Sequence, residues 1–175
     1  MAFVDRVADL LDEQHIPFAA IGAWALAARG LTRSTYDVDL FTVDTRVLQK
    51  ATWDSIQPLA AIEIRRGDFA DPLKGVVWIK PPGERKIDIV VGRWKWEQDV
   101  IERAKPTPSA DRSLPTVTTP DLILLKLAAG GGQDLWDVSR LLKIVDRTVI
   151  AEVEQRLPDL KPDARDRWQR ILCEG

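Results

Sequence analysis

The stretch from Ala20 to Phe41, Ala-Ile-Gly-Ala-Trp-Ala-Leu-Ala-Ala-Arg-Gly-Leu-Thr-Arg-Ser-Thr-Tyr-Asp-Val-Asp-Leu-Phe, narrows the folds open to this chain more than any other. It reads as an apolar strand ending at Gly22-Ala23, a short alanine-rich helix, a polar Thr-Arg-Ser-Thr turn and a second strand carrying Asp37 and Asp39. Strand side chains alternate between faces, so the two aspartates point the same way, about 7 Å apart, while Val38 and Leu40 face the other side. Adjacent carboxylates repel and Asp is a poor strand former, so the pair costs stability unless a cation neutralises it. Hard oxygen donors at this spacing suit Mg²⁺, which takes one or two carboxylates together with substrate phosphates. Gly22 permits close backbone approach, and a helix beginning near Ala23 turns free N–H groups toward a neighbouring anion. The expectation is a phosphate site and a metal site in one cleft.

A third acid follows downstream. Gly75 to Lys80 and Arg85 to Val91 read as the two arms of a β-hairpin around the Pro81-Pro-Gly83 turn, and Asp88 interrupts the apolar run of the second arm. A lone buried carboxylate is costly, so Asp88 requires a partner or a metal.

The remaining chain supplies a frame. Residues 2–14 place Phe3, Val7, Leu10 and Leu11 on one stripe of an amphipathic helix. His15, the one histidine, follows at its end and reads as a helix-dipole partner rather than a catalyst. Strands are expected over 17–21, 37–42 and 60–65, with a helix over 45–57 and a long loop over 66–75. Residues 94–104 read as a surface helix whose Trp94 and Trp96 serve packing rather than base stacking. Pro106 and Pro108 break the chain, and 114–117 reads as a short edge strand. Thr119 is the expected N-cap of a helix with Pro120 at its first position and Lys126 inside its apolar run. Gly130-Gly-Gly132 closes that helix. The next opens with Asp134 and Asp137, which suit either a helix dipole or a site, and two further amphipathic segments cover 148–156 and 163–172.

With 175 residues, of which 45% are hydrophobic, the chain can bury one good core, read as residues 1–112 with a helical portion, 113–175, packed on it. A formal net charge of −2 offers no global basic field for nucleic acid. The single cysteine, Cys173, excludes an internal disulfide and suits a reducing cytosol. Early charges at Asp5, Arg6 and Asp9 argue against a signal peptide, and no apolar run is long enough for a membrane span, so a cytoplasmic protein is expected.

Taken together, Gly22-Ala23, Asp37-Val-Asp39 and Asp88 resemble the DNA polymerase β-like nucleotidyltransferase superfamily, whose pattern is a Gly-Gly or Gly-Ser turn, an Asp-x-Asp strand and a later strand aspartate. Ala23 departs from that pattern: it lacks the serine hydroxyl that touches a nucleotide phosphate and leaves the backbone amide. Arg33-Ser-Thr35, Asp71-Pro-Leu-Lys-Gly-Val76 and Thr119 to Gly130 with Asp134 and Asp137 are similar to the abortive-infection toxin-type group (AbiEii/AbiGii-like).

The resemblance implies an α/β (α+β) nucleotidyltransferase fold, a mixed twisted sheet flanked by helices with a small C-terminal helical portion. It implies two Mg²⁺ ions, with Mn²⁺ as a substitute, held by Asp37, Asp39 and Asp88, and an NTP such as ATP held by Gly22, Ala23, Arg33, Ser34, Thr35 and Lys126. Lys126 also has a plain reading as a surface lysine with a buried stem. The implied reaction moves an NMP to a hydroxyl acceptor, a tRNA 3′ end or a protein, in the manner of a toxin with an antitoxin partner. The acidity of the chain weighs against tRNA, although Arg29, Arg33, Arg65, Arg66, Lys74, Lys80, Arg85 and Lys86 could cluster at the cleft. Gly22-Ala-Trp-Ala and Asp-Val-Asp also resemble small aminoglycoside nucleotidyltransferases, and a non-catalytic nucleotide-binding module is the third reading.

Overall fold

A computed structural model describes residues 2–32, 37–108 and 112–174. It divides into two compact units that meet in sequence between Val117 and Thr118.

The first unit opens with α1 (Phe3–Glu13), where Val4, Val7, Ala8 and Leu11 recur at helical spacing and are buried while Arg6, Asp9 and Asp12 face solvent. Just beyond the C-cap Gln14, His15 takes with its φ of +52° the left-handed turn usually left to glycine. A seven-stranded mixed sheet follows: β1 (Ala19–Ala20), β2 (Asp37–Thr42), β3 (Ala61–Arg66), β4 (Gly75–Lys80), β5 (Lys86–Val91), β6 (Lys105–Pro108) and β7 (Ser113–Thr116), in the spatial order 3-4-5-2-1-7-6. The β2/β5 and β1/β7 pairs are parallel and the others antiparallel. On one face of β2, β4 and β5, Val38, Leu40, Val77, Ile79, Ile87 and Ile89 are buried in a single core with Val7, Leu11 and Trp53. Truncating a side chain of the size of Trp53 in such a core costs ~3–5 kcal/mol.

Four expectations are corrected. The segment 45–57 is not one helix but two short 3₁₀ turns, Thr45–Leu48 and Lys50–Trp53. The Thr52 hydroxyl donates to the Arg46 carbonyl (2.6 Å) and the Trp53 indole to that of Val47 (2.7 Å), occupying acceptors that a continuous helix would use. The first strand shrinks to two residues, because Pro17 has no N–H to offer and its carbonyl accepts from the Thr42 hydroxyl. Residues 105–108 form a strand despite two prolines, since β6 is the sheet edge where a missing N–H is tolerated. Ser113–Thr116 therefore lies inside the sheet, between β1 and β6.

Two short elements complete the first unit. The six-residue α2 (Gly22–Ala27) joins β1 to the region before β2, and α3 (Trp96–Glu102) follows β5.

The second unit is helical: α4 (Thr119–Ala129), α5 (Gly132–Leu142), α6 (Arg147–Arg156) and α7 (Pro162–Glu174). The N-cap of α4 is Thr118, one residue before the expected Thr119, and Gly130 ends the helix in the left-handed conformation. Leu122, Ile123, Leu127, Val138, Leu141, Val153 and Trp168 are buried in this unit. No helix among the described residues is long and apolar enough to cross a membrane.

Candidate active site

Strand register builds the site. In the parallel pair, Asp37 lies opposite Lys86 and Asp39 opposite Asp88, and Asp88 lies opposite Trp78 on β4. The acids and Lys86 are partly exposed, alternating with fully buried neighbours, so the apolar side of β2 and β5 anchors the strands and the other side presents charge.

Gly22 completes the arrangement at the end of β1. The Ile21 N–H donates to the Asp39 carbonyl (2.9 Å), which brings the turn against β2. A Cβ on Gly22 would lie 2.0 Å from Asp39 Oδ2, and its φ is +57°, so both space and backbone call for glycine. Ala23 is buried in the first turn of α2, and no side chain caps that turn.

Lys86, which the sequence offered only as one of eight basic residues for the cleft, stands between two of the acids. Its Nζ stands 3.3 Å from Asp37 Oδ2 and 3.1 Å from Asp88 Oδ2. Burial pushes the Asp88 carboxyl above the usual carboxylate range, outweighing the pull of Lys86. Burial acts on the Lys86 ammonium in the opposite sense to its neighbours, and the attraction of Asp88 and Asp37 holds its pKa above the ordinary lysine value. Asp88 Oδ1 is buried with no hydrogen-bond partner. The available signal was the parity of Lys86 with Asp88, two residues apart on one strand.

Among the described residues no three His, Cys, Asp or Glu side chains converge closely enough to enclose a metal ion. The donor chemistry nonetheless fits a hard divalent cation: carboxylates from adjacent strands, an orphaned buried oxygen on Asp88 and a bare glycine against Asp39. Beside Asp37 and Lys86 a cavity of about 680 Å³ is lined by Phe3, Trp24, Val38 and Ile87, with Glu84 and Arg85 among its charged residues.

Arg33, Ser34 and Thr35 lie outside the described residues. Lys126 is buried in the helical unit, where its Nζ meets Asp134 Oδ1 at 3.0 Å and Asp137 Oδ2 at 2.8 Å. Several of the basic residues considered for the cleft are engaged locally: Arg65 with Asp71, Lys80 with Glu63, Arg66 with the Leu48 carbonyl, and Arg29 with the carbonyls of Ala25 and Val117.

A mixed sheet flanked by helices is also the fold of solved nucleotidyltransferases. Neither a family model nor a curated protein matches the sequence. Among solved structures, the antibiotic-resistance factor ANT(2″)-Ia in complex with adenylyl-2″-tobramycin is similar with a TM-score of 0.58 and 16% identity, over 95% of this chain and 97% of that one. Its solution structure gives 0.57 and 16%, over 98% and 94%. A Thermotoga maritima protein described as a candidate nucleotidyltransferase gives 0.56 and 12%, over 81% and 91%. At these identities the likeness is one of fold.

Proposed function

We propose that this protein transfers a nucleoside monophosphate from an NTP to a hydroxyl acceptor, with Asp37, Asp39 and Asp88 as the metal-holding acids. The observation that carries this reading is the β2/β5 register, which sets the acids side by side on a partly exposed face with Gly22 kept bare against Asp39. A divalent cation bound there, Mg²⁺ or Mn²⁺, would neutralise polyphosphate charge and lower the pKa of the acceptor hydroxyl. The protein contributes position. Backbone amides around Gly22 and Ala23 meet a phosphate, with Arg33, Ser34 and Thr35 as further donors. Asp88 accepts the proton of the acceptor hydroxyl. The acceptor oxygen bonds to the α-phosphorus as the bond to pyrophosphate breaks, so catalysis is largely alignment and charge stabilisation.

Lys126 is accounted for by its two aspartates, and we leave it out of the nucleotide contacts. For the acceptor, a small hydroxyl compound is favoured over tRNA, because Arg65, Arg66, Lys80 and Arg29 are engaged locally rather than gathered at the acids. The likeness to ANT(2″)-Ia over nearly the full length of both chains points the same way and makes ATP the first donor to try. Transfer to tRNA or protein, with a toxin role and an antitoxin partner, is the second reading and a separate arm of the test.

The test incubates the protein with α-labelled NTPs and Mg²⁺ in parallel with aminoglycosides, total tRNA or cell protein, beside Asp37→Ala and Asp39→Ala variants. The expected result is label on a small hydroxyl acceptor, lost in both variants. Transfer that persists in both would overturn the assignment of the acids, and label on tRNA alone would overturn the choice of acceptor.

A further inference from the structure

The acidic face carries a cation of its own. Lys86 begins β5 directly across from Asp37 and two residues ahead of Asp88, so register alone sets its ammonium between two carboxylates. Lys80, which also acts on Asp88 by its charge, is exposed and paired with Glu63. In the absence of metal, Lys86 therefore limits the repulsion among the aspartates.

The features that let Lys86 do this also let it leave. Its side chain is 31% exposed, and its charge is a compact ammonium on a flexible stem rather than a bidentate fork. The cavity beside it is lined by Lys86 itself, which leaves the stem room to move without disturbing the apolar side of β5. An ammonium and a divalent cation held by the same carboxylates repel each other strongly at such distances.

We propose that Lys86 is a built-in counter-ion that steadies the metal-free site and that a divalent cation displaces, an inference that rests on Asp37, Asp39 and Asp88 being the metal ligands. Two consequences follow. Metal binding is weakened by competition with the lysine, and the released ammonium is offered to an anion, for which the polyphosphate of the bound nucleotide is at hand. Metal and nucleotide then favour each other's binding through one side chain. Lys86 is on this account a positioning residue, and the effect of removing it has an unusual sign: an ordinary structural lysine would weaken a site when lost, whereas loss of Lys86 tightens it.

The test is Mn²⁺ titration without nucleotide, by calorimetry and electron paramagnetic resonance, on wild type, Lys86→Met, Lys86→Gln, Lys86→Arg and Asp39→Asn, with thermal melting of each. Lys86→Met and Lys86→Gln are expected to bind Mn²⁺ about tenfold more tightly than wild type, to melt lower without metal and to gain more from Mn²⁺. Lys86→Arg keeps the charge and stays near wild type. Unchanged or weaker Mn²⁺ binding by both neutral variants, with binding lost in Asp39→Asn, overturns the counter-ion role while leaving the metal site standing. Failure of wild type and both neutral variants to bind Mn²⁺, or wild-type binding by Asp39→Asn, overturns the metal-ligand assignment itself and this inference with it.

Discussion

Each of the two units contains one lysine held by two aspartates, and the difference between these clusters is burial. Lys126 and Asp137 are enclosed in the helical unit, their side chains 7% and 0% exposed, whereas Lys86, Asp37 and Asp88 keep 31%, 38% and 18%. The same three charges act differently in the two settings. The enclosed ammonium cannot leave without stranding a desolvated carboxylate, so the cluster fastens α4 to α5. The partly exposed ammonium can trade its carboxylates for water or another cation at small cost, so the cluster is exchangeable. A charge count from sequence treats them alike; solvent access separates them.

The largest effect that could break this contrast is on stability. Asp137→Ala leaves the Lys126 ammonium buried with only the partly exposed Asp134, and is expected to cost ~3–5 kcal/mol. Asp37→Ala, at the open cluster, should cost no more than about 1 kcal/mol. Urea unfolding followed by circular dichroism compares the two, and equal losses would erase the distinction.

Next comes the geometry of the open cluster. Gly22→Ala would force Asp39 to move and hold an alanine at positive φ, a strain of ~1–3 kcal/mol. On the proposed assignment of Asp39, displacement of its carboxylate on that scale should lower nucleotidyl transfer on the order of a hundredfold. Retained activity in a folded Gly22→Ala protein would detach Asp39 from the chemistry.

A smaller effect tests a buried acid held by backbone N–H groups. Glu97 is enclosed, its Oε2 accepting the Trp94 N–H at 2.5 Å, and burial raises its pKa against the pull of the Trp94 and Arg93 N–H groups. For a carboxyl raised in the folded state, its stabilising contribution is complete below the unfolded value, near 4.5, and is lost as pH rises through the folded value. Glu97→Gln, which can still accept from the N–H groups, should therefore gain on wild type as pH is raised from below that point. Parallel stability curves for the two proteins would contradict the buried-charge account.

Much of the acidic face was legible in sequence because it depends on parity. Asp37, Asp39 and Asp88 alternate with Val38, Leu40, Ile87 and Ile89, and period-two alternation fixes which residues share a side. The β4–β5 hairpin was legible in the same way, from two apolar runs about Pro81-Pro-Gly83. The ion pair of Lys86 with Asp37 was not, since it depends on the parallel pairing of β2 with β5, a contact between distant segments that neither strand reveals alone. The 3₁₀ turns at 45–53 were hidden because Thr52 and Trp53 divert carbonyls by side-chain bonds that periodicity does not register. Prolines at 106 and 108 read as breakers until the strand proved to be an edge. The ion pairs of Lys126 with Asp134 and Asp137 depend on a helix–helix contact, again beyond local pattern.

The most direct measurement is Mn²⁺ binding by wild type, Asp88→Asn and Asp134→Asn under identical conditions. If the open cluster is the cation site and the enclosed one a strut, Asp134→Asn binds Mn²⁺ as wild type does and Asp88→Asn loses about tenfold or more in affinity. Wild-type affinity in Asp88→Asn, or its loss in Asp134→Asn, would contradict the account.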